Sequence, residues 1–202
     1  MKNLFDLTGK VALVTGASSG MGKAIAEAMG AQGAKVVVSS HDTEGGYATI
    51  KEFENKNIEA VFIACDVSKK AEIKQLYDKS ITIFGKIDIL ASCVGVAMPK
   101  SFLDINEVDF EKTMALNLQS AIYLTKLVVP QMQQRKNGVL IYLASIAGVR
   151  GNKNAWVLAD NMLFPPHHKH EAEAYRKRVR ETNAFDSVLL PIGSGIEMSF
   201  FR

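Results

Sequence analysis

The sequence is short of most features that would assign it quickly, and each shortage excludes something. Only two cysteines, Cys65 and Cys93, occur in 202 residues. With no Cys-x-x-Cys spacing, they exclude a disulfide scaffold and a cysteine-built zinc site, and free thiols in a reducing compartment are the simplest account. The net charge is only +3, too small to argue for a nucleic-acid partner. No apolar run approaches the roughly 20 residues of a membrane span, and the stretch from Met1 to Lys10 is too polar for a signal peptide. No repeat or low-complexity tract stands out. The expectation is a soluble cytoplasmic protein with neither membrane nor nucleic-acid contact. A hydrophobic share of 48% against 22% charged residues suits a globular chain, and the length suggests one domain, 1–202, with a sizeable core.

What is present centres on Val11 to Gly22, VALVTGASSGMG. The apolar run Val11 to Val14 is short enough for a buried strand. Thr15 and Gly16 end it, and Lys23 to Met29 reads as a helix with Ala24, Ile25, Ala28 and Met29 on one face. A strand, a glycine-rich turn and a helix place a helix N-terminus, with its unpaired N–H groups, where a phosphate can be held. The spacing is Gly16-x-x-x-Gly20-x-Gly22. Glycines allow a tight turn and close backbone approach to a pyrophosphate.

Further strands are expected at Lys35 to Ser40, Ala60 to Cys65, Ile87 to Ala91 and Gly138 to Ala144. Helices are expected at Ala48 to Phe53, Ala71 to Phe84 and Phe110 to Met132. Alternating strands and helices predict an α/β fold, a doubly wound parallel sheet with helices on both faces. Ligands of such sheets bind beyond the strands' carboxyl ends, so Gly16, Ser40, Asp66, Ser92 and Ser145 are expected to face one crevice.

The sequence resembles the short-chain dehydrogenase/reductase family over residues 5 to about 155. The matching pieces are TGASSGMG at 15–22, CDV at 65–67, IDIL at 87–90, the asparagine in ALNLQSA at 115–121 and ASIAG at 144–148. Within the family, the opening and the SSH at 39–41 are most similar to carbonyl-reductase-like members related to dehydrogenase/reductase member 4. The resemblance implies a Rossmann-type fold, a nicotinamide dinucleotide, and hydride transfer between it and a small carbonyl or alcohol. It implies homo-oligomers through long helices such as 110–132. It places the pyrophosphate on the turn Gly16, Gly20, Met21 and Gly22, with hydroxyl contacts from Ser18 and Ser19. Asp66 would accept from the adenine amino group, and Val67 would pack on the ring. Asp66 as a cap of the following helix is equally compatible. At the second strand's end, NAD-specific members carry an acid for the ribose hydroxyls. Ser39, Ser40 and His41 stand there instead, which points to NADP(H) over NAD(H). His41 replaces an arginine as a weaker, pH-dependent partner of the 2′-phosphate. Asn117 matches the asparagine whose backbone carbonyl holds a water, and Ser145 the serine that polarises the substrate carbonyl.

Two departures limit the resemblance. Ser92, Cys93, Val94 and Gly95 replace the family's Asn-Asn-Ala-Gly, so amides that brace the central sheet are lost. Counting from Ser145, the tyrosine and lysine of the Tyr-x-x-x-Lys motif fall on Leu158 and Met162, and neither moves protons. Activity is therefore expected to be impaired, and a dinucleotide-binding protein without turnover, or a truncated product, remains the alternative. The tail 156–202 diverges. An out-of-frame or alternatively spliced end would explain it, and so would a divergent βα unit, with a helix at Glu171 to Glu181 and a sixth parallel strand at Ser187 to Leu190. The histidines His167, His168 and His170 lack a carboxylate or cysteine partner at a metal-site spacing, so no metal is expected.

Overall fold

The structure is a computed structural model. It describes residues 5–97, 100 and 102–145, and the backbone of 156–159, 185–190 and 196–201. Met162, Tyr175, the three tail histidines and the expected helix at 171–181 lie outside the described residues. Two compact units are present, one of residues 1–98 with 106–143, the other of 99–105 with 144–202.

The first unit is built on five parallel strands: β1 (Val11–Thr15), β2 (Lys35–Ser40), β3 (Ala60–Ala64), β4 (Ile89–Ser92) and β5 (Val139–Tyr142). Their order is β3-β2-β1-β4-β5. Leu13 pairs with Val37 on one side and Leu90 on the other. β1 is buried along its whole length, which is why its sequence is a continuous apolar run rather than an alternating one. Alternation appears in the layers instead. Val36 and Val38 pack with Ala26 and Phe53 of helices α1 (Gly20–Ala31) and α2 (Thr43–Asn55). Val37 packs with Leu76 and Leu124 of α3 (Lys70–Phe84) and α5 (Ser120–Gln134). The strand order reverses between β1 and β4, the position at which such sheets open a crevice.

Helix α2 begins five residues before the expected Ala48. Gly45 and Gly46 disguise its first turn, but Asp42 caps it by accepting the Gly45 N–H at 3.0 Å. A Cβ at Gly46 would collide with the Phe62 ring, so close packing on β3 accounts for a residue that is unfavourable inside helices. The expected helix at 110–132 is α4 (Glu107–Met114) and α5 joined by a π-helical turn at Ala115–Gln119.

β4 starts at Ile89 rather than Ile87, and the Ile87 backbone bonds away from the sheet. The Ile87 N–H donates to Gln131 and its carbonyl accepts from Arg135. Asp88 is buried and takes the Val11 N–H at 3.0 Å and the Lys86 ammonium at 2.9 Å, with Arg135 at 3.5 Å. Its backbone links β1 to β5 through Val11 O and Val139 N. Burial pushes the Asp88 carboxyl up, but the Lys86 and Val11 hydrogen bonds and the two cations outweigh it and hold it below the ordinary value.

In the second unit, β6 (Trp156–Ala159), β7 (Phe185–Leu190) and β8 (Ile196–Phe201) form an antiparallel sheet of order β6-β8-β7. The expected strand at Ser187 to Leu190 exists within β7, but it is not a sixth parallel strand. It pairs antiparallel with β8, Val188 opposite Met198. Five residues, PIGSG, separate the two strands. That composition is a hairpin signal between two β-prone runs.

The Asp88 network supports a prediction. Asp88→Ala strands a buried N–H and removes the partner of two cations, and should destabilise the chain by about 3–5 kcal/mol in urea unfolding at neutral pH. A depressed folded pKa means this stability is present above the unfolded carboxyl value, about 3.9, and is lost as pH falls through the folded value. Asp88→Asn should therefore flatten the acid limb of stability between about pH 5 and pH 3; an unchanged acid limb would remove Asp88 from that role.

Candidate dinucleotide cleft

β1 ends at Thr15, and Gly16 turns the chain with φ of +68°. A side chain at Gly16 would stand 3.2–3.3 Å from Val94 and the Cys93 backbone. Helix α1 then starts with Ser19 as its cap, in extended conformation and with no side-chain capping bond. No acidic residue stands in its first turn. Lys23 has its ammonium held by Glu52 at 2.7 Å. The N-terminal N–H groups thus keep their positive field without a local anion to absorb it. A Cβ at Gly22 would collide with the Gly16 carbonyl, so the helix's first turn sits directly on the strand-to-helix turn.

A cleft of about 300 Å³ opens at this place. Gly16, Ser18, Ser19, Met21 and Gly22 line it from the turn, and Ser40 and His41 from the end of β2. Asp66 and Val67 line it from the end of β3, and Gly95 from the segment after β4. Of the five residues the strand-end argument expects to face one crevice, Gly16, Ser40 and Asp66 line this cleft, and Ser92 and Ser145 do not. The remaining expected residues are placed differently. Gly20 opens α1. Ser92 is buried in β4, and Ser39 is fully buried in β2 with a hydroxyl that has no partner among the described residues. Ser145 follows β5 by three residues and belongs to the second unit.

The Asn117 side chain bonds to the segment after β4. In the π-helical turn, its Oδ1 accepts the Val96 N–H at 2.7 Å and its Nδ2 donates to the Val96 carbonyl at 2.9 Å. The pair holds the segment after β4, of which Val96 lines the cleft. That segment is also tied at its root. The Cys93 N–H donates to Thr15 Oγ1 at 3.3 Å, so a cross-strand brace persists without the amide side chains expected to supply it.

Asp66 does not cap α3. Lys69 occupies the cap position, and Asp66 Oδ1 accepts from the Ser68 N–H at 3.0 Å and hydroxyl at 2.7 Å. The Ser68 hydroxyl is the main cause that keeps the carboxyl below its ordinary range, against partial burial. Cys65, Cys93, Val94, Val96 and Leu116 also line the cleft; their apolar or weakly polar character gave no signal apart from position. Burial, with Glu72 and Asp66 adding to it, pushes the Cys65 thiol up to about 12, and burial raises Cys93 too. Both remain thiols, poor nucleophiles and poor redox centres. Among the described residues no group of three or more His, Cys, Asp or Glu side chains could hold a metal, and no helix is long and apolar enough to cross a membrane.

Two glycine substitutions separate shape from mere composition. Gly22→Ala should weaken NADPH binding about tenfold or more, since the methyl group forces the turn and the helix apart. Gly95→Ala meets nothing closer than 3.7 Å and should bind as the parent does. Isothermal titration of both variants distinguishes the two; equal behaviour would mean the close approach does not shape the site.

Known proteins match this geometry. The short chain dehydrogenase family pattern matches residues 10–157, so the family-like part starts five residues later and ends two later than the resemblance indicates. An uncharacterized oxidoreductase of Thermotoga maritima is 38% identical over 146 residues, 72% of this chain and 57% of its own length. The 7α-hydroxysteroid dehydrogenase of Escherichia coli K12 is 34% identical over 161 residues, 80% of this chain and 63% of its own. A solved 7α-hydroxysteroid dehydrogenase, in complex with NADH and 7-oxo glycochenodeoxycholic acid, superposes with a TM-score of 0.73 at 30% identity, over 90% of this chain and 66% of that one. The chain thus spans roughly three fifths of the length of the curated relatives it matches. With the glycine turn, the sheet order and the cleft in agreement, the chain belongs to the short chain dehydrogenase family.

Proposed function

We propose that this chain is an NAD(P)-dependent oxidoreductase that prefers NADP(H) to NAD(H), acts on a small carbonyl or alcohol, and is impaired by the loss of its proton donor. The observation that carries this reading is the uncapped first turn of α1 seated on the Gly16 turn, with no acidic residue in it. It is a cradle that a Cβ at Gly22 would fill, lined by donors and free of local anions, and it fits a pyrophosphate. Asp66 and Val67 would hold the adenine, as the resemblance implies.

The end of β2 favours a 2′-phosphate over free ribose hydroxyls. Ser40 Oγ accepts from Ser18 Oγ at 2.9 Å and from the Asp42 N–H at 3.1 Å, so its own hydrogen is left for a further acceptor. His41 is exposed on the same wall. Asp42, the nearest acid in sequence, is engaged in capping α2. The NADH bound by the 7α-hydroxysteroid dehydrogenase relative supports the cofactor class, and its steroid ligand supports a carbonyl or alcohol substrate. A carbonyl-reductase-like specificity agrees with the stretch at 39–41. Two free cysteines, with no disulfide between them, suit a reducing, cytoplasmic setting.

The reduced cofactor supplies a hydride, and the chain's task is to bind, orient and proton-balance. Ser145 would hydrogen-bond the substrate oxygen, and Asn117 keeps the wall at Val96 in place. A protonated partner is then needed. Leu158 lies in β6, opposite Met198, and its side chain has no proton to give; Met162 has none either. A second reading, dinucleotide binding without turnover, is favoured by that residue identity at 158.

The test is carbonyl reduction by the parent chain and by Leu158→Tyr with Met162→Lys, over a panel of ketones and diketones, with NADPH and NADH in parallel. The double variant should exceed the parent by at least about a hundredfold, with NADPH the better donor. Large activity in the parent, equal to that of the variant, would show that another acid serves. A preference for NADH would show that Ser40 and His41 do not read the 2′-phosphate.

A further inference from the structure

Five residues close a hydrogen-bonded ring, two of which, Ser18 and Ser40, line the cleft. Thr49 Oγ1 lies 3.2 Å from the Ser18 carbonyl and 2.9 Å from the Gly45 carbonyl, donating to both. The Ser18 hydroxyl donates to Ser40, Ser40 accepts the Asp42 N–H, and Asp42 accepts the Gly45 N–H. The ring joins three separate pieces of chain: the turn after β1, the end of β2 and the first turns of α2. Thr49 is fully buried and does not line the cleft.

We infer that Thr49 is a positioning residue for the dinucleotide, acting through the peptide between Ser18 and Ser19. This deepens the function proposed above and rests on it. The reason is geometric. A trans peptide points its C=O and N–H in opposite directions. With the Ser18 carbonyl turned to a buried hydroxyl on α2, the Ser19 N–H turns the other way, toward the cleft that Ser19 lines. A phosphate needs N–H groups facing it and carbonyls facing away. Without the Thr49 hydroxyl, the Ser18 carbonyl has no donor behind it, and rotation of that peptide would present an oxygen to an anion. The same ring fixes both neighbours of His41, so the turn and the β2 wall keep one relative arrangement.

The test is isothermal titration of the full chain with NADPH and with NADH, beside thermal unfolding. Thr49→Val should weaken both cofactors about tenfold, equally because the pyrophosphate is common to both. Thr49→Ser, which keeps the hydroxyl, should restore affinity. Thr49→Val with parental affinity would overturn the inference alone, and so would Thr49→Ser as weak as Thr49→Val. A folded parent that binds neither cofactor would overturn the proposed function and this inference with it. Should Thr49→Val fail to fold, the parent chain still decides. The Ser19 amide proton must move downfield when NADPH is added, and an unmoved Ser19 amide would refute the assignment.

Discussion

The structure of the first unit depends on one close approach, the contact of the Gly22 backbone with the Gly16 carbonyl. It fixes where α1 starts relative to β1, and so where the helix's unsatisfied N–H groups point. β1 is the strand that can carry such a turn. It lies between β2 and β4, is buried on both faces, and sits where the strand order reverses. Placing the uncapped helix end there gives a cleft with its positive end at the centre and strand ends on either side. Thr15, Ser40 and Thr49 then tie the neighbouring segments to that turn.

The two ends of the parallel sheet handle polarity in opposite ways. At the amino end, the buried Asp88 carboxylate is met by a backbone N–H and two cations, and Arg135 bridges to Ile87 and Gln131. Such a charge is tolerated inside only when every partner is supplied. At the carboxyl end, the first turn of α1 has no side-chain cap and no acidic residue. Burial raises both thiols on the cleft wall, Cys65 and Cys93, which keeps them protonated.

Much of this was legible in the sequence, for identifiable reasons. β1, β2 and β3 are β-branched or apolar runs of strand length, and the glycines of the turn answer to a close approach at Gly22 and to positive φ at Gly16 and Gly20. The edges were harder to read. Gly45 and Gly46 look like breakers, yet they open α2, because the Phe62 ring and the Asp42 cap decide the matter. A cap of the following helix is one of two compatible readings of Asp66, but its carboxylate closes a turn with Ser68 instead. Two asparagines are missing after β4, and the Cys93 N–H donates to Thr15 Oγ1 at the root of that segment. The roles of Thr49 and of the Asn117 side chain depend on contacts more than twenty residues away in sequence, which no local pattern carries. The tail failed for a different reason. Ser187 to Leu190 reads as a strand, but its partner is the run after PIGSG and not the parallel sheet.

The central claim is that the first five strands and their turns bind a nicotinamide dinucleotide whatever the tail contributes. Amide hydrogen exchange with and without NADPH tests it most directly. The account predicts slowed exchange in the turn at 16–22, the end of β2 at 40–41, the segment at 65–67 and the segment at 93–96, with exchange at 86–88 unchanged. No slowing at 16–22, or slowing confined to 156–201, would contradict it.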